Sequence, residues 1–120
     1  MKNLLIIDDQ IMYLKSLETV LKKNYTVYSA KSYEKAIDKL EEDINIALID
    51  IRLDENDDSN IDGLKILEWI KMNKPEISTF MMSSYKEFEY AEQALNLGAK
   101  HFFRKPIDVI SLIAILEDKS

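Results

Sequence analysis

The sequence predicts an α/β fold, a single doubly wound domain over residues 1–120 in which five strands alternate with five helices around a parallel sheet. Three observations carry this. Short aliphatic or aromatic runs recur along the chain, as expected of strands buried on both faces. Between them, apolar residues fall at spacings of three and four, as on one face of a helix. No repeat, low-complexity tract or internal linker breaks the alternation, and 120 residues suit one domain.

Leu4-Leu5-Ile6-Ile7 is a compact aliphatic strand, and Ile11, Leu14, Leu17, Val20 and Leu21 then mark the first helix. Tyr25–Ala30, aromatic and β-branched, predicts a second and less buried strand. Ser32 is placed to cap a helix carrying Ala36, Ile37 and Leu40. Ile44–Ile51 is the strongest strand and contains the acid Asp50 near its end. A polar stretch, Leu53–Asn60, leads to Gly63 and to a third helix through Leu64, Leu67 and Ile70, stopped by Pro75, with Trp69 as a packing residue. Ile77–Met82 predicts the fourth strand, and Glu87–Leu97 the fourth helix, closed by Gly98 in a left-handed cap. His101–Arg104 is a short fifth strand, and a last helix runs from its cap at Asp108 to about Glu117. The five methionines read as core filler.

Composition narrows the function classes. Twenty-two acids against 16 bases give a formal charge of -6, so the chain lacks the basic excess that nucleic-acid backbone binding needs. Apolar runs of a few residues fall far short of the roughly 20 that span a bilayer, and residues 1–7 lack the h-region of a signal peptide. The absence of cysteine excludes disulfides and thiolate zinc sites and suits the cytosol. A cytoplasmic domain without membrane or nucleic-acid contact is expected.

In open parallel sheets ligands sit beyond the carboxyl ends of the strands. The predicted ends carry Asp8-Asp9, Asp50, Ser83-Ser84 and Lys105-Pro106. Three clustered carboxylates repel one another and take up protons unless a cation intervenes. A hard divalent ion such as Mg²⁺ suits carboxylates, water and a phosphoryl group, and a lysine supplies a point charge for phosphate. A carboxylate is also a competent nucleophile for phosphoryl transfer.

These motifs, LLIIDD, IALIDI, Asp62-Gly63-Leu64, FMMSS and FFRKP, resemble the receiver domains of bacterial two-component response regulators, the chemotaxis receivers among them, from residue 4 to about 117. The resemblance implies a flavodoxin-like sheet in the order 2-1-3-4-5. It implies that Asp50 is the phosphoacceptor and that Asp9 and Asp50 ligate Mg²⁺, with Asp8 acting directly or through water and the Arg52 backbone carbonyl adding a ligand. Ser83, at the family's spacing from Lys105, would hydrogen-bond a phosphoryl oxygen, and Lys105 would pair with another. Pro106, commonly cis, and Gly63 would be structural. Phe102 falls at the switch-aromatic position. It would turn inward as Ser83 moves, altering the surface of the fourth helix, fifth strand and fifth helix, where Glu87, Tyr90, Gln93 and Ile113 offer a partner or dimer face.

Two departures stand out. The loop between Asp50 and Gly63 is several residues longer than the family's short turn. Its alternating Asp54, Asn56 and Asp58 suggest a calcium loop, but Ser59 and Lys65 stand where that motif needs glycine and glutamate, which favours a solvated acidic loop over a partner-recognition insert or a weak secondary cation site. By the resemblance, Arg52 and Tyr85 occupy positions that in the family flank the attacking water, and their bulk is expected to prolong the phosphoryl lifetime.

The resulting expectation is a signalling switch rather than an enzyme acting on a small molecule. A sensor histidine kinase or phosphotransfer protein phosphorylates it, and it controls an output domain or downstream protein. A haloacid dehalogenase-type phosphatase would need a second acid where Arg52 stands. The other alternative is a receiver-like interaction module that is never phosphorylated. The chain ends just past its fifth helix, which fits either a stand-alone regulator or the receiver part of a longer one.

Overall fold

In the computed structural model, which describes residues 1–84 and 89–120, strands and helices alternate throughout. They are β1 (Asn3–Ile7), α1 (Ile11–Leu21), β2 (Thr26–Ala30), α2 (Tyr33–Lys39), β3 (Ile46–Asp50), α3 (Asp62–Asn73), β4 (Ser78–Ser83), α4 (Ala91–Asn96), β5 (Phe102–Arg104) and α5 (Val109–Lys119). The strands form one sheet in the order β2-β1-β3-β4-β5, and every adjacent pair is parallel.

Period-2 alternation divides the core between the two faces of this sheet. Leu5, Ile7, Ala47, Ile49 and Met81 point one way and pack with Ala36 of α2 and Leu40 just past its end, Leu64, Leu67 and Ile70 of α3, and Ala94 of α4. Leu4, Ile6, Leu48, Phe80 and Met82 point the other way, onto Leu14, Leu17 and Leu21 of α1 and Leu112 and Leu116 of α5. The central strands bury both faces, which explains their continuous aliphatic runs. Truncating one of these side chains, as in Leu48→Ala, is worth about 2–5 kcal/mol.

Local signals place the helix ends. Ser32 accepts from the Lys35 backbone N–H at the start of α2, and Asp108 does the same for Ser111 at the start of α5. Gly98 closes the turn after α4 with φ 97°, a left-handed conformation that favours glycine. Trp69 is partly buried against the core, as its helical position predicts.

Two expectations shift and one falls partly outside the described residues. β3 is shorter than the predicted Ile44–Ile51, because the Ile44 N–H turns back to the Glu42 carbonyl instead of joining the ladder. Its far end stops at Asp50, with Ile51 still donating to Met82. The described part of the fourth helix is Ala91–Asn96, and the predicted start at Glu87, like Tyr85, lies outside the described residues. Met81 and Met82 are core residues, but Met1, Met12 and Met72 are exposed. Helical position, not residue type, decides this: Met12 and Met72 fall on the solvent sides of α1 and α3.

Candidate functional site

Parallel register brings the strand ends to one edge. Ile7 lies between Ala30 and Ile49, Asp50 pairs with Met82, and Ser83 pairs with Arg104. The residues just beyond β1, β3, β4 and β5 therefore meet. Asp8, Asp9 and Asp50 each offer a carboxylate oxygen within 4.8 Å of the others. Lys105 reaches into the same place, its Nζ donating to Asp8 Oδ2 at 2.7 Å and to Asp50 Oδ2 at 3.1 Å. Asp8 is completely buried and also accepts from the Gln10 backbone N–H at 2.9 Å. Asp50 is 6% exposed.

Three carboxylates against one ammonium leave an excess of negative charge in a largely dry place. Burial, reinforced by Asp8 and Asp9 and opposed by Lys105, pushes the Asp50 carboxyl up to about 8. Burial also raises Asp9, with the charges of Asp8 and Glu55 adding to it. For Lys105, burial alone favours loss of the proton, but Asp50 and Asp8 outweigh it and hold the ammonium above its ordinary range. A cluster of hard oxygen donors that resists full ionisation fits a divalent cation such as Mg²⁺, and Asp8, Asp9 and Asp50 are the side chains that would hold it. Among the described residues no other group of three acids converges in this way.

Gly63 fixes how closely α3 approaches the site. Its N–H donates to the Ile51 carbonyl at 2.8 Å, and a Cβ here would lie 1.9 Å from the Asp50 carbonyl oxygen. Only glycine permits that approach. Pro106 follows a cis peptide bond from Lys105.

The long loop is organised rather than merely solvated. Asn60 Oδ1 accepts from the Leu53 and Asp62 backbone N–H groups, and Leu53 is buried. Asp54 folds onto the Asn56 N–H and Asp57 onto Ser59, while Asp58 pairs with the Arg52 guanidinium at 2.7 Å. These carboxylates are engaged singly and do not converge on a second cation site. The loop also bends over the acid cluster: Glu55 donates its backbone N–H to Asp9 Oδ2 at 2.9 Å, and its carboxylate accepts from the Gln10 side chain at 3.3 Å.

Asp9, Gln10, Asp50, Arg52, Glu55, Ser84 and Lys105 line a small cavity of about 40 Å³ above the cluster. Ser83 lies at the end of the strand beside the acid cluster. It ends β4 fully buried, and its hydroxyl donates to the Ser84 carbonyl at 3.0 Å, while Ser84 faces the cavity. Phe102 is half-buried against the α2–α4 side of the core. His101 packs against Phe103 in a tilted arrangement, ring centroids 4.6 Å apart, and burial, with Lys119 nearby, lowers its pKa. Glu55, Gln10 and Tyr13 belong to the site's surroundings although no local sequence signal marks them.

Residues 4–117 match the family model of the response regulator receiver domain. The chain is 32% identical over 117 residues to the transcriptional regulatory protein ZraR of Escherichia coli (strain K12), a match covering 96% of this chain and 25% of ZraR. It thus spans about a quarter of that relative's length. A CheY-like response regulator receiver domain protein from Methanospirillum hungatei JF-1 has the same fold, with a TM-score of 0.87 at 28% identity over 99% of this chain and 93% of that one. A response regulator protein from Burkholderia pseudomallei, solved with a phosphorylated aspartic acid, a calcium ion and citrate, gives 0.83 at 27% identity over 97% of this chain and 66% of that one. No helix among the described residues is long and apolar enough to cross a membrane.

Proposed function

The chain belongs to the response regulator receiver domain family, and from that premise we propose that it is a phosphorylation-dependent switch whose phosphoacceptor is Asp50. The observation that carries this reading is the placement of Asp50 between Asp8, Asp9 and the Lys105 ammonium at one sheet edge. The phosphorylated aspartic acid in the Burkholderia pseudomallei relative supports the same chemistry.

The donor is a phosphohistidine on a sensor kinase or phosphotransfer protein. An Asp50 carboxylate oxygen attacks phosphorus. A P–O bond forms as the P–N bond breaks, and the departing imidazole keeps the bond's electrons and takes up a proton. Asp8, Asp9 and Asp50, with the Arg52 backbone carbonyl, would hold Mg²⁺, which when bound would supply positive charge favouring the ionised Asp50 and shielding the phosphoryl oxygens. Lys105, already 3.1 Å from Asp50, pairs with one of those oxygens. The Ser83 hydroxyl turns from the Ser84 carbonyl to another. Arg52, held at the rim by Asp58, narrows the approach of hydrolytic water.

Ser83 and Phe102 couple the new charge to α4, β5 and α5 by shifting the balance between two arrangements. Tyr90, Gln93 and Ile113 lie on that face, which serves an output domain, a downstream protein or a second copy. Acetyl phosphate with Mg²⁺ tests the reading. Wild type is expected to gain one phosphoryl group, and Asp50→Asn or chelated wild type none. Equal labelling of wild type and Asp50→Asn overturns it.

A further inference from the structure

Lys105 has a third neighbour besides the two carboxylates. Its Nζ sits 4.5 Å from the centroid of the Tyr13 ring, on the first turn of α1. An ammonium has three donors, and Asp8 and Asp50 each accept one. An aromatic face attracts the remaining side of the cation without adding negative charge to a site that already has too much.

The same side chain makes a second attachment. The Tyr13 hydroxyl accepts the Ile107 backbone N–H at 3.4 Å, in the segment just after Lys105-Pro106. Burial raises the phenol above its ordinary pKa, so this hydroxyl stays protonated. Tyr13 thus touches both the side chain of Lys105 and the backbone beyond it, from a helix that begins directly after Asp8-Asp9.

We propose that Tyr13 is a positioning residue for phosphoryl transfer, its ring holding the Lys105 ammonium at Asp50. This rests on the reading of Asp50 as phosphoacceptor and adds a residue to that site. The competing role is plain packing, because Tyr13 also lies against the α1–α5 side of the core. Packing needs an apolar side chain of similar size. Holding the cation needs an aromatic face.

Tyr13→Leu and Tyr13→Phe in the full chain separate these roles, with Tyr13→Met as a second non-aromatic variant should leucine unfold. In metal-free protein the Lys105 CεH₂ protons are expected upfield in wild type and Tyr13→Phe, from the ring current, and at ordinary lysine shifts in the non-aromatic variants. With acetyl phosphate and Mg²⁺, the non-aromatic variants should label Asp50 about three- to thirtyfold more slowly, the range of a partly desolvated cation–π contact, while phenylalanine restores most of the rate. Wild-type labelling by folded Tyr13→Leu overturns the proposal, as does an equal loss in leucine and phenylalanine variants. If wild type takes no label, the phosphoacceptor reading fails. The NMR shift then decides the Tyr13–Lys105 contact alone, and ordinary shifts in wild type overturn it.

Discussion

With divalent ions chelated, Asp50→Asn is expected to make the protein more stable at neutral pH, although it removes the residue on which the site is centred. Folded Asp50 titrates near 8, because it is buried beside Asp8 and Asp9. In the unfolded chain an aspartate titrates near 3.9. Between those values the folded state keeps a proton that the unfolded chain has released. Stability from this group is therefore fully present below about pH 4 and is lost as pH rises towards 8. At about 1.4 kcal/mol per pH unit, the three units from pH 4 to 7 set a ceiling of about 4 kcal/mol. Side-chain rearrangement and entry of water reduce this, so about 2–4 kcal/mol is expected, on the order of 10 °C in Tm. Asparagine is never charged, and its Oδ1 can still accept from Lys105. Urea unfolding in EDTA at several pH values between about 4 and 8 measures the effect. Wild type should lose stability across this window, and the variant should lose much less. Added Mg²⁺ should stabilise wild type by about 3 kcal/mol at a hundred times its Kd and leave the variant nearly unchanged. A constant difference between the two proteins at every pH, or a wild type that gains stability as pH rises, would refute the electrostatic account.

Lys105→Met removes the cation between two buried carboxylates and should cost about 3–5 kcal/mol in EDTA near neutral pH. The cost should change little between pH 5 and 7, where folded Asp50 holds its proton, and grow above about pH 8, where wild-type Asp50 ionises beside Lys105; denaturant titrations across this range check this. Gly63→Ala gains about 1 kcal/mol of helix propensity, but its Cβ would stand 1.9 Å from the Asp50 carbonyl. A net loss of about 3 kcal/mol or more is expected on unfolding, together with weaker Mg²⁺ binding by calorimetry. Arg52→Asn with Tyr85→Ala should speed loss of the phosphoryl group several-fold, followed by phosphate release; an unchanged rate would remove their proposed role in excluding water.

Much of the fold was legible because its signals are local. Buried parallel strands must be aliphatic on both faces, so Leu4–Ile7 and Ile46–Ile49 stand out, and Ser32, Gly98 and Asp108 punctuate the helices. The acids and the lysine at the strand ends were legible for a topological reason, since parallel strands deliver their carboxyl ends to one edge. Contacts set by tertiary placement were not. Glu55 reads as one acid among several in a polar stretch, yet its backbone grips Asp9, 46 residues away. Tyr13 is not among the apolar residues that mark α1 in the sequence, although it meets Lys105 and Ile107 across the fold. Spacing favours Ser83 over its neighbour. Ser83 ends its strand buried while Ser84 lines the cavity, a difference of exposure that residue type cannot supply.

The most direct test of Asp50 as the phosphoacceptor is chemical mapping of the modified residue. An aspartyl phosphate is an acyl phosphate, and borohydride reduces it to homoserine at the position that carried the phosphoryl group. Protein treated with acetyl phosphate and Mg²⁺, then reduced and digested, should yield peptides with homoserine at residue 50 and aspartate at residues 8 and 9. Homoserine at residue 8 or 9, or its complete absence from protein that has gained a phosphoryl group, would contradict the account.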